Sequence, residues 1–74
     1  MKDLIKFLVA NGFKKVEKNS YANDKCNVVI TKNFYEVSNN DGETMYSNNL
    51  NIYWLIGVLT YYGYMNKNYK QLNK

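Results

Sequence analysis

The sequence predicts an α+β fold of order α-β-β-β-α: a three-stranded antiparallel sheet with two helices on one face, preceded near residues 14–20 by an irregular strand. Three observations predict it. Apolar runs at helical spacing lie near both ends of the chain, each closed by Gly and an aromatic residue, Asn11-Gly12-Phe13 and Tyr62-Gly63-Tyr64. Between them, the two arms flanking Lys32-Asn33 alternate apolar and polar in matching register. Asp41-Gly42 then marks a further hairpin turn.

The first helix is expected over 4–11. Asp3 is its candidate N-cap, and Leu4, Ile5, Leu8 and Val9 form its apolar stripe. Gly12 accepts the left-handed conformation at C′, and Phe13 folds back on the last turn. Residues 14–20 alternate poorly, since Val16 and Tyr21 differ in parity. Asn23-Asp24-Lys25 reads as a turn. A two-residue hairpin at Lys32-Asn33 pairs Thr31 with Phe34, Ile30 with Tyr35, Val29 with Glu36 and Val28 with Val37. That register gathers Val28, Ile30, Tyr35 and Val37 on one face. The return strand is 43–47: a two-residue loop sets Tyr46 against Val37, a three-residue loop with a bulge sets Met45 there, and both remain open. Ser47-Asn48-Asn49 caps a second helix over about 49–62. The organisation is one domain over 1–65 and a polar, basic tail over 66–74.

The second helix carries the most information. No residue from Thr44 to Asn66 is charged, and 12 of the 16 residues in Leu50–Met65 are apolar. At 100° per residue, Ile52, Leu55, Ile56, Leu59 and Tyr62 share one arc. Leu50, Tyr53, Trp54, Gly57, Val58, Tyr61 and Met65 share the opposite one. A helix packed once on a sheet needs a single apolar stripe, so the aromatic arc needs a second occupant. The first helix, another protein and a second copy of the chain are the candidates. A membrane span is excluded by length, because sixteen residues reach only ~24 Å against a ~30 Å hydrocarbon core. Tyr53, Trp54, Gly57, Tyr61 and Tyr64 are the candidate partner-binding residues, Trp and Tyr being enriched where interfaces concentrate their energy. Gly57 is expected to mark a close approach by a ring or a second helix.

Composition excludes several chemistries. The 74 residues contain one Cys and no His, too few soft ligands for a zinc or iron–sulfur site and no His-activated nucleophile. The six acids show no spacing suited to acid–base work; at most Glu17 and Glu36 could approach across strands. The expectation is a non-enzyme without cofactor or metal, with Cys26 a small buried hydrophobe. One Cys and no signal-peptide pattern place it in the cytoplasm.

The formal charge is +4, from 10 Lys, no Arg and 6 acids. Lys14, Lys15 and Lys18, with Phe34 as a stacking ring, are therefore the candidate residues of an alternative function, nucleic-acid binding on a Lys-rich sheet face. Two facts weigh against it. Asn (13), Lys (10) and Tyr (8) all have A/T-rich codons, so the lysines fit coding bias, and Arg, the better reader of phosphates, is missing.

The run Tyr46-Ser47-Asn48-Asn49-Leu50-Asn51-Ile52-Tyr53-Trp54-Leu55-Ile56-Gly57, with Leu59-Thr60-Tyr61-Tyr62-Gly63, follows a helix and an Asn/Asp-rich meander. This pattern resembles small proteins of AT-rich bacteriophages of gut bacteria. The resemblance implies a compact protein that binds host machinery from within the host cytoplasm, a class that includes anti-defence inhibitors such as anti-CRISPR proteins acting by surface occlusion. It transfers no functional residue.

Overall fold

The computed structural model describes residues 2–66, 68 and 69. Helix α1 (Lys2–Ala10) leads into strands β1 (Lys14–Glu17), β2 (Ser20–Ala22), β3 (Cys26–Ile30), β4 (Tyr35–Asn39) and β5 (Thr44–Ser47), and helix α2 (Ile52–Tyr61) follows. The strands form a five-stranded antiparallel meander in chain order, not the three-stranded sheet expected. The additional strands come from 14–22, which fold as a hairpin. Its turn is made possible by Asn19 at φ 66, a conformation that Asn tolerates better than most residues. All four residues of β1 are exposed, so the strand has no buried face to impress an alternation on its sequence.

The central hairpin takes the expected register, Ile30 opposite Tyr35, Val29 opposite Glu36 and Val28 opposite Val37. Lys32-Asn33 serves as its turn because Thr31 supplies the missing turn chemistry: its Oγ1 accepts from the backbone N–H groups of Asn33 (3.1 Å) and Phe34 (3.0 Å). At the next turn, Met45 stands opposite Val37, which selects the three-residue loop. Gly42 at φ 86 forms its left-handed position, and the Asn39 side-chain oxygen accepts from the N–H groups of Asp41 and Glu43.

The core joins Leu4, Phe7 and Leu8 of α1, Phe13, Tyr21, alternate residues of β3 and β4 (Cys26, Val28, Ile30, Tyr35, Val37), Leu55 and Leu59 of α2, and Met65. Both helices close with six-to-one and five-to-two bonds around the expected glycines. Phe13 N–H donates to Leu8 O and Gly12 N–H to Val9 O; Tyr64 N–H donates to Leu59 O and Gly63 N–H to Thr60 O. Several boundaries differ from expectation. Asp3 lies inside the first turn of α1 and is not its N-cap. Val9 is 55% exposed and Phe7 is buried in its place, because the buried stripe is centred on 4, 7 and 8. Helix α2 begins three residues later than expected, capped by Asn51, whose side chain accepts from Tyr53 N–H at 2.8 Å. Packing continues past residue 65, the boundary drawn for the domain: the Tyr69 ring meets Phe7 edge-on at 5.7 Å. The rest of the expected tail beyond Tyr69 lies outside the described residues.

Candidate protein-contact surface

Helix α2 has ten residues and is ~15 Å long. Leu55 and Leu59, one turn apart, are fully buried and define its inner line. Ile52 and Ile56 on one flank and Trp54 and Val58 on the other are half-buried and packed against the core. Tyr53, Gly57 and Tyr61 follow the i, i+4, i+8 ridge on the opposite side. Tyr53 is 78% exposed and Tyr61 81%. The aromatic arc therefore divides: its edge is core, and its crest faces solvent.

Gly57 lies between the two tyrosines on the crest. A side-chain carbon built there meets no atom within 4 Å, so nothing in the fold approaches it closely, contrary to the sequence expectation. The missing side chain instead opens a notch between two rings. With Trp54, Val58 and Tyr62 it forms a shallow apolar groove of about 330 Å³. Rings continue out of the groove: Tyr61 meets Tyr62 edge-on at 4.9 Å, and Tyr62 stacks on Tyr64 at 5.8 Å.

Of the five residues selected from sequence, Tyr53, Trp54, Gly57 and Tyr61 share this groove. Tyr64 stands outside it and serves as an anchor. Its backbone carbonyl accepts from Asn23 Nδ2 at 2.8 Å and its hydroxyl from Asn39 Nδ2 at 3.0 Å, tying the end of α2 to the β2–β3 loop and to the end of β4. Sequence reasoning missed Val58 and Tyr62 as lining residues. A projection at 100° per residue sets Tyr62 on the sheet-facing arc and Met65 on the outward one, yet Tyr62 is 51% exposed and Met65 is buried. Both assignments extrapolated 100° per residue beyond Tyr61, where the chain leaves the helix at the Tyr62 C-cap.

A larger depression of about 440 Å³ lies where the two helix C-termini meet the Asn23–Lys25 loop. Several of its polar groups bond one another or the adjoining backbone. Asn23 Oδ1 accepts from the N–H groups of Lys25 and Cys26, and Lys25 Nζ donates to Gly63 O at 3.3 Å, beside the negative end of α2. This is a structural clasp, with Asp24 its only carboxylate. Cys26, next in the chain, is 2% exposed, and burial, with the Asp24 carboxylate adding to it, pushes its thiol up to about 11.

The alternative nucleic-acid residues do not assemble. Lys14 pairs with Ala22 and Lys15 with Tyr21, so their side chains leave opposite faces of edge strand β1. Lys18 lies in the β1–β2 turn. Phe34 precedes β4, more than ~14 Å from them across three strand spacings, and its ring packs edge-on against Tyr46 at 6.1 Å. Glu17 and Glu36 occupy one row of the sheet, through Ser20 and Val29, and are separated by the same three spacings. Among the described residues no group of three or more His, Cys, Asp or Glu could hold a metal ion, and no helix is long and apolar enough to cross a membrane. No family model, curated protein or solved structure matches the chain.

Proposed function

We propose that the chain is a non-enzymatic protein-binding module whose contact surface is the outer crest of α2. The observation that carries this reading is the pair Tyr53 and Tyr61, the two most exposed large hydrophobic side chains among the described residues, flanking a notch at Gly57 on a segment without charge. A folded monomer gains nothing from two exposed rings set beside an apolar groove, whereas a partner side chain entering the notch is sandwiched by both. Each tyrosine offers its ring to apolar contact and keeps its hydroxyl available to water or a polar group. The resemblance to small phage proteins supports a partner in host machinery and action by occlusion.

The test compares affinity capture by the wild type, by a Tyr53→Ala/Tyr61→Ala variant and by a Lys14→Ala/Lys15→Ala/Lys18→Ala variant, after melting curves have shown all three to be folded. The reading requires a protein retained by the wild type and the lysine variant and lost by the tyrosine variant. Retention of the same protein by the tyrosine variant, or capture of nucleic acid lost only in the lysine variant, overturns it.

A further inference from the structure

The two edges of the sheet are built differently. Edge strand β1 is Lys-Lys-Val-Glu, with a bulge between Lys15 and Glu17. Charged side chains and a bulge are the standard means of stopping a sheet from adding strands. Edge strand β5 is Thr-Met-Tyr-Ser, uncharged and regularly paired, and among the described residues it pairs with β4 alone. It has none of the devices that protect β1.

The ladder shows which groups β5 leaves open. Asn39 N–H donates to Glu43 O, so Asn39 and Glu43 form a hydrogen-bonded pair. Antiparallel pairs alternate from there: Met45 and Ser47 direct their backbone groups to β4, and Thr44 and Tyr46 direct theirs outward. We propose that β5 pairs antiparallel with β5 of a second copy of this chain, in the register that sets Thr44 against the partner's Tyr46 and Met45 against the partner's Met45.

Several features select a second copy in this register. Outward groups at Thr44 and Tyr46 meet their counterparts in two reciprocal pairs, so every open group of the strand is used and no residue outside β5 is required. The contact is isologous, and because β1 is blocked it closes at two copies and does not propagate into a filament. Charge points the same way: each copy carries +4, and the stretch from Thr44 to Asn66 is a long run of chain without a lysine to repel its counterpart. On the face carrying Phe34, each Phe34–Tyr46 ring pair flanks the two-fold axis, with the two tyrosines on a diagonal ~7–8 Å apart. A four-residue edge is ~13 Å long, at the small end of specific contacts, so the dimer forms with rising concentration and is not obligate. The edge is a different surface from the α2 groove, and neither reading depends on the other.

Sedimentation of the wild type over a concentration series, beside Thr44→Lys and Tyr46→Pro, tests the proposal. Tyr46→Pro removes an outward N–H and leaves the bonds to β4 in place; Thr44→Lys gives β5 the protection that β1 already has. The wild type is expected to reach twice its 8.7 kDa mass at high micromolar concentration, and Thr44→Lys to remain monomeric with unchanged circular dichroism. Register is read by oxidation of Met45→Cys, whose thiol faces its counterpart across a non-hydrogen-bonded pair at ~4.5 Å between Cα atoms, within disulfide reach. It should cross-link about tenfold faster than Tyr46→Cys, while buried Cys26 stays out of the reaction. A wild type that is monomeric throughout, a Thr44→Lys variant that still dimerises, or faster cross-linking at 46 overturns the proposal. So does a dimer lost in Tyr61→Ala and kept in Thr44→Lys, which would assign self-association to α2.

Discussion

Replacing Gly57 by Ala adds one methyl group to the crest of α2, and the structure determines its effect on folding. The position is helical and without positive φ, and nothing lies within 4 Å of the new carbon. No clash offsets the gain in helix propensity, which is ~0.8–1 kcal/mol for Gly→Ala in a helix interior. For a domain of this size, ~1 kcal/mol corresponds to a rise in Tm of ~4–8 °C. The same replacement at Gly63 is the control. It too meets no atom within 4 Å, yet its φ is +73, where a Cβ costs ~1–2 kcal/mol, so Gly63→Ala should melt several degrees lower. Differential scanning calorimetry of both variants beside the wild type reads the two signs directly. If Gly57→Ala melts lower than the wild type, something already occupies the notch in the free protein. The claim that the groove is open is then wrong. A stabilised Gly57→Ala would also show that the glycine costs the helix stability and that packing within the fold does not require it.

Three further outcomes are expected. Leu59→Ala, at a fully buried position, should cost ~2–5 kcal/mol, a large part of the ~4–11 kcal/mol available to a chain of this length; Tyr61→Ala should stay within about 0.5 kcal/mol, and urea unfolding that finds equal losses refutes the division of α2 into core and crest. The Cys26 thiol stays protonated in the fold while an unfolded chain ionises near the ordinary thiol value of 9.0, so its contribution to stability is complete below pH 9 and is lost as pH rises toward about 11; alkylation by iodoacetamide at pH 9 should be far slower in the native protein than in urea, and equal rates refute the burial. Binding to an oligonucleotide should be absent at physiological salt, since Lys14, Lys15 and Phe34 do not share one surface; a micromolar complex that weakens steeply between about 50 and 200 mM salt and is lost in the triple lysine variant refutes the separation.

Local chemistry was legible in the sequence wherever it was complete within a few residues. Asn11-Gly12-Phe13 and Tyr62-Gly63-Tyr64 specify their helix ends because the left-handed glycine and its fold-back ring are adjacent in the chain. The β3–β4 register was readable because both strands bury alternate side chains in one core, and a slip of one residue would expose Val28, Ile30 and Val37 together. Tertiary structure alone decided what lacked such a signature. One irregular strand was readable near 14–20, but not its division into the paired strands β1 and β2, because β1 buries nothing and carries no alternation, and the hairpin depends on Asn19 tolerating a positive φ. The fates of Tyr62 and Met65 followed from where α2 stops, at Tyr61, beyond which the helical periodicity that places them no longer applies. The sequence showed that the second helix has two apolar faces. Only packing could divide the outer one into half-buried Trp54 and open Tyr53, Gly57 and Tyr61, because burial depends on what lies across the fold from each residue.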